Sequence, residues 1–141
     1  MSASIDDQSA IQDLTTRYAT YLGRHEVAAL VELFTADGTY HAFDTEYSMT
    51  EFPALLEAAP RGQLIVNPPL LDIEGDNGSG SQHYVFIDQR THEMRLAWYD
   101  DLYRRTPDGW RFLRRSTTFL RRHGGTDQGR DHDPARPTTG D

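Results

Sequence analysis

Arg95-Leu-Ala-Trp-Tyr-Asp-Asp-Leu-Tyr-Arg-Arg105, followed by Thr106-Pro-Asp-Gly109 and Trp110-Arg-Phe-Leu-Arg-Arg115, is the stretch whose reading decides the fold. Two runs rich in aromatic and aliphatic residues flank a Pro-Asp-Gly turn, the sequence form of an antiparallel hairpin. The first run carries Asp100 and Asp101 inside an otherwise apolar strand. Alternation turns one of them to the inner face of the sheet, and a carboxyl in an apolar cavity can act as acid, base or hydrogen-bond donor near neutral pH. Parity puts Arg95, Ala97, Tyr99 and Asp101 on one face and Leu96, Trp98 and Asp100 on the other. In the preceding strand Gln82, Tyr84, Phe86 and Asp88 share a face, with His83 opposite.

Working outward, the amino-terminal half reads as helical. Ser4 with Asp7 three residues on forms a capping signal, and Ile11, Leu14, Tyr18 and Leu22 recur at helical spacing up to Gly23, which predicts a helix over 5–22. Val27, Leu30, Val31 and Phe34 lie on one stripe, predicting a second helix over 26–35 that ends at Asp37-Gly38. His25, at its start, is expected to be exposed. A strand over 39–44, a small helix from Thr50 to about Ala58 and a strand over 63–74 broken by Pro68-Pro69 follow. Asp76-Asn-Gly-Ser-Gly80 reads as a turn before strands at about 81–90, 93–105 and 110–121. The expected architecture is α+β: residues 1–122 as one domain, a cone-shaped barrel with its helices packed into a curved antiparallel sheet. Residues 123–141 contain almost nothing apolar and read as a disordered tail.

Composition bounds the function. At 141 residues with 37% apolar content there is chain for one core. The net charge of −8 argues against a nucleic-acid binder. Seven arginines between Arg104 and Arg122, against Asp108 alone, read as a solvated outer face. No cysteine, no long apolar run and no signal-like amino terminus predict a cytoplasmic protein without membrane contact. No lysine is present, which removes Schiff-base chemistry. The histidines and acids do not fall at metal-ligand spacing, and no glycine-rich phosphate loop follows a strand, so neither metal nor organic cofactor is expected.

Several strings carry a family resemblance: Ile11-Gln-Asp-Leu, Arg17-Tyr18, Ala29-Leu-Val-Glu-Leu-Phe34 with Asp37-Gly38-Thr39, Glu74-Gly75-Asp76, and Tyr99-Asp-Asp101 with Asp108-Gly-Trp110-Arg111. Together they resemble the SnoaL-like branch of the nuclear-transport-factor-2-like superfamily, over about residues 8–122. In ketosteroid-isomerase-like members the resemblance makes Tyr18 a hydrogen-bond donor to a developing oxyanion and Asp101 a protonated second donor. Their strand base falls at Ala42 here, which leaves Asp44 or Asp88 to serve as base. The histidine and aspartate positions of scytalone-dehydratase-like members fall at Gly23, Gln63 or Asn67, and Asp88. Arg95, Asp88 and Asp101 could alternatively supply an Asp/Arg/Asp set of epoxide-hydrolase type.

Two functions follow. One is a cofactor-independent proton-transfer enzyme, an isomerase, dehydratase or cyclase, with Tyr18, Asp44, Asp88 and Asp101 catalytic. Its pocket, formed by Tyr40, Asn67, Tyr84, Phe86, Arg95 and Tyr99, suits a small hydrophobic carbonyl compound of polyketide, steroid or aromatic type. The other is a non-catalytic ligand-binding or assembly module of the same fold. An open pocket reached by the three aspartates favours the first; a filled cavity that no carboxylate reaches favours the second. In both, Leu96 and Trp98 on the outer sheet face predict a sheet-to-sheet homodimer.

Overall fold

The computed structural model describes residues 4–42 and 44–120, together with the backbone pairing of Thr126-Asp127. Ser4 caps the first helix, α1 (Ile5–Gly23), its hydroxyl accepting from the Asp7 amide at 3.0 Å. Ile11, Leu14, Thr15 and Tyr18 form its buried stripe. The helix ends in a Schellman motif, with the Glu26 amide on the Tyr21 carbonyl at 2.8 Å and the His25 amide on the Leu22 carbonyl at 3.1 Å. Gly23 stays helical, and it is His25 that takes the left-handed conformation, at φ 58°.

The second helix, α2, is one short turn (Val27–Val31), because β1 (Phe34–Ala42) begins where the periodicity predicts continued helix. The Leu33 carbonyl accepts from the Phe112 amide at 2.8 Å, so Phe34 is taken up by the sheet. Asp37-Gly38 lies in a bulge of β1 rather than a turn, between Phe34 and Thr39. There β2 (Thr45–Ser48) and α3 (Phe52–Ala58) precede β3 (Gly62–Val66) and β4 (Leu70–Glu74). The prolines split one expected strand into these two, which pair with opposite ends of β5 (Asn77–Asp88). β6 (Met94–Thr106) and β7 (Gly109–Leu120) form the long hairpin, and β8 (Thr126–Asp127) pairs with β7. Apart from β8, the expected tail lies outside the described residues.

The strand order is β2-β1-β7-β6-β5-β3, with β4 also on β5. The sheet is curved and unclosed. β1 runs parallel to β7, so the sheet is mixed where antiparallel pairing alone was expected. Gly78 and Gly80 belong to β5, not to a turn. A Cβ on Gly80 would stand 2.7 Å from the Tyr103 hydroxyl, so the glycines make room for that side chain. The parity reading of β6 holds: Ala97, Tyr99, Asp101 and Tyr103 are buried while Leu96, Asp100 and Leu102 are exposed. Among the described residues no helix is long and apolar enough to cross a membrane.

Asp7 ties α1 to the hairpin tip, meeting Arg105 at 2.8 Å and accepting from Trp110 Nε1 at 3.1 Å. These contacts, Arg105 first, hold its carboxyl down at about 2. A carboxyl depressed in the folded state adds stability above its unfolded value of 3.8, and that stability is lost as pH falls through about 2. Asp7→Asn is expected to lower Tm at neutral pH and to flatten its decline between about pH 4 and about pH 2. Parallel Tm-pH curves for the two proteins would remove this role.

Candidate functional site

The concave face of the sheet carries Tyr40, Tyr84, Tyr99, Phe86 and Phe119, and α1, α2 and α3 close over it with Tyr18, Leu30, Phe52 and Leu55. Between them lies a cavity of about 100 Å³. Its lining also includes the half-buried His25, Pro60 and Arg95 and the exposed Arg61.

The floor is a stack of rings. Tyr84 lies on Tyr99 at 4.3 Å between centroids, and Tyr18 meets Tyr99 edge-on at 5.7 Å. The Tyr84 hydroxyl shares a 2.8 Å hydrogen bond with Thr117. Burial pushes the phenols of Tyr18, Tyr40, Tyr84 and Tyr99 above their ordinary value, so all four stay protonated near neutrality. Neutral phenols in an apolar wall are hydrogen-bond donors for a ligand oxygen.

Behind this floor sits a buried ion pair. Arg115 and Asp101 both have side chains of 0% exposure and meet through Nε to Oδ1 at 2.9 Å and Nη2 to Oδ2 at 3.1 Å. Arg115 Nη2 also donates to Gln82 Oε1 at 2.8 Å, and the Tyr103 hydroxyl donates to Asp101 Oδ2 at 2.9 Å. The guanidinium carbon stands 3.6 Å from the Tyr99 ring centre and 4.4 Å from that of Tyr18. Burial raises the affinity of Asp101 for its proton, and the Arg115 charge works against that. Burial likewise disfavours the Arg115 cation, but Asp101 and the flanking tyrosines hold its proton more tightly overall. Lying against the Tyr99 and Tyr18 rings, the guanidinium is the end of the pair that faces the floor.

The expected site residues separate into two groups. Tyr18, Tyr40, Tyr84, Phe86, Arg95 and Tyr99 line the cavity. The four other positions do not. Asp44 is exposed on the turn after β1, at φ 59°. Asp88 caps the β5–β6 turn, its Oδ1 accepting from the amides of Arg90 at 2.8 Å and Thr91 at 3.1 Å. Those amides hold its carboxyl below the usual range. Asn67 is exposed and accepts from the His83 amide and the Gln82 side chain. Asp101 faces inward as parity predicts, yet it receives three donors and lies behind the floor, where it anchors Arg115 rather than offering a proton to a ligand.

Among the lining residues that the sequence reading did not assign to the pocket, the ones with a basic side chain are His25 and Arg61. His25, expected on the surface, is turned to the cavity by its left-handed backbone. Its Nε2 lies 3.1 Å from Glu57 Oε2 on α3. A carboxylate only accepts, so in the neutral ring Nε2 carries the hydrogen and Nδ1 the lone pair. Non-glycine residues with positive φ collect at functional sites, and that would have been the signal, but it is visible only in the backbone. Among the described residues no carboxylate lines the cavity, and no group of three or more His, Asp or Glu could hold a metal ion.

The model of the SnoaL-like domain matches residues 3–116. The chain belongs to the SnoaL-like family. Its solved relatives include a nuclear-transport-factor-2-like protein with a cystatin-like fold from Novosphingobium aromaticivorans, 24% identical, with a TM-score of 0.75 over 82% of this chain and 83% of that one. A protein provisionally designated a scytalone dehydratase, from the same organism, is 17% identical with a TM-score of 0.75, covering 94% and 93% of the two chains. A provisional dehydratase from Streptomyces avermitilis is 16% identical, with a TM-score of 0.68 over 79% and 94%. At these identities the likeness shows the fold. None of the curated proteins matches the chain. Members of the fold share the cone and differ in the side chains that line it, so chemistry has to be argued from His25, the tyrosines and the arginines of this chain.

Proposed function

We propose that this SnoaL-like protein is a proton-transfer enzyme, an isomerase, dehydratase or cyclase, acting on a carbonyl compound of about one ring. The observation that carries the reading is a cavity that joins one imidazole, oriented by Glu57, to a floor of protonated tyrosines. His25 Nδ1 takes a proton from the carbon beside the carbonyl, and the same nitrogen returns it at the new position. The phenol hydroxyls, Tyr18 foremost, donate to the oxygen as it gains charge, and the Arg115 cation behind them favours that charge. Asp44 and Asp88, which do not line the cavity, have no part in this scheme. The groups it uses are all side chains.

Size narrows the substrate. About 100 Å³ is below the roughly 300–1,000 Å³ of most ligand pockets and near the roughly 150 Å³ that admits benzene. A single ring fits this scale, and a four-ring steroid exceeds it.

The reading is tested by α-carbon deuterium exchange into phenylacetone in heavy water, followed by NMR. Exchange that rises in proportion to protein concentration above the buffer rate is the expected result. Line broadening of the ketone without accelerated exchange would favour the second reading, a binding module, which the absence of a lining carboxylate among the described residues supports. We also infer a homodimer through the outer face of the sheet, on the exposure of Ile65 (57%), Leu96 (48%) and Leu102 (44%) beside Trp98. Sedimentation is expected to give twice the chain mass, with Leu96→Glu shifting it to monomer; wild-type monomer at micromolar concentration would remove this inference. The lack of cysteine suits a reducing compartment, and a cytoplasmic location is part of the same proposal.

A further inference from the structure

At rest the cavity is tighter than a single ring. Its volume of about 100 Å³ falls short of the roughly 150 Å³ that admits benzene, so one wall has to give before a ring can enter. A close-packed wall does not yield evenly, and the part that moves is the part with the weakest ties. The sheet is not that part. Tyr40, Tyr84, Tyr99 and Phe119 stand on β1, β5, β6 and β7, each hydrogen-bonded to strands on both sides. The first helix, α1, is held by its buried stripe and by Asp7 on Arg105 and Trp110. The second, α2, runs into β1 through the bond between the Phe112 amide and the Leu33 carbonyl.

The third helix, α3, is tied differently. It is seven residues long, its amino terminus has no side-chain cap, and Ala54, Glu57 and Ala58 are exposed along its outer side. A helix this short has little stability of its own and keeps its form by packing. Its two ends are held unequally. At the first, Phe52 is 1% exposed, stacked on Tyr40 at 4.5 Å between ring centres and edge-on to Phe34 at 5.5 Å. At the other, Glu57, with 62% of its side chain exposed, accepts from His25 Nε2 at 3.1 Å. Beyond it the backbone turns extended at Ala59 and meets Pro60. Leu55 and Leu56, which line the cavity, lie between the buried anchor and the exposed contact.

We propose that α3 is the lid of the cavity, hinged at Phe52 and latched by Glu57 on His25. A ring enters as the far end of α3 swings away with Leu55 and Leu56, and the latch closes behind it. Shutting the lid also restores the acceptor to His25 Nε2, so the imidazole takes its working orientation only around an enclosed substrate. This deepens the reading that the cavity is the substrate site and rests on it.

Hydrogen exchange of the full chain, followed by NMR, tests the lid without any ligand. The amides of residues 56–59 are expected to exchange about a hundredfold faster than those of residues 14–18, at rates that low denaturant does not change, the mark of a local opening. Glu57→Ala should speed the α3 amides by about a further threefold, the scale of one exposed ion contact. Alanine is the best helix former, so that gain does not come from a weaker helix. NMR line shapes of phenylacetone supply a second readout. In Glu57→Ala its association and dissociation rates are expected to rise by the same factor with Kd unchanged, as for a latch that acts on entry alone. Exchange of the α3 amides only with global unfolding, or at an unchanged rate in Glu57→Ala, overturns the lid. Local opening of α3 with no binding of phenylacetone supports the lid and overturns the reading of the cavity as the substrate site.

Discussion

Asp101→Ala is expected to lower the free energy of unfolding by about 3–5 kcal/mol, the usual loss when one partner of a buried ion pair is removed. The physical reason lies in what remains. Arg115, with 0% exposure, would keep its charge with Gln82 as its one remaining hydrogen-bond partner. Its Nη1 already lacks a hydrogen-bond partner, so the cation begins with little reserve. Tyr103 would lose its acceptor as well. Urea denaturation read by tyrosine and tryptophan fluorescence measures the change. Asp101→Leu combined with Arg115→Met should recover most of the loss, because replacing both charges with apolar groups removes the orphan that the single change creates. If Asp101→Ala unfolds at the wild-type midpoint, Asp101 does not anchor Arg115.

His25→Gly is expected to reduce the exchange of a bound ketone by about 10²–10⁴-fold, the contribution of a positioned general base. Stability should move in the other direction or hardly at all. A left-handed conformation costs a non-glycine residue roughly 1–2 kcal/mol, and glycine at the same φ relieves that cost. Against the relief stands the loss of the His25–Glu57 contact, whose acidic partner is 62% exposed and so contributes little. Denaturation and exchange measured on the same preparation separate the two effects. An exchange rate within a factor of two of the wild type would remove His25 from the chemistry, whatever the stability.

The contrast between these two residues shows what could be read from the chain in advance. The helix cap, the buried stripe of α1 and the facing of β6 follow from periods of 3.6 and 2 carried by neighbouring residues. They were legible because each rests on contacts that local spacing controls. Tyr18, Tyr84, Tyr99 and Asp101 could be assigned to the inner face on that ground.

Arg115 could not. Between Leu102 and Tyr103 the pairing of β6 with β7 shifts register, so that Phe112 faces Tyr103 but Arg115, three residues on, faces Asp101. The inward parity of β7 changes from even to odd across that irregularity, which turns an arginine from an expected outer face into the core. His25 escaped for a related reason. Gly23 does end α1, but the left-handed residue comes two positions later, at His25, in a motif where glycine would be the usual occupant. Short-range pattern determined α1, the long hairpin, the facing of β6 and the family. The makeup of the cavity lining, with His25 in it and no carboxylate among the described residues, was decided by a bulge, a left-handed residue and the joining of strands far apart in sequence, because those depend on contacts that no local period encodes.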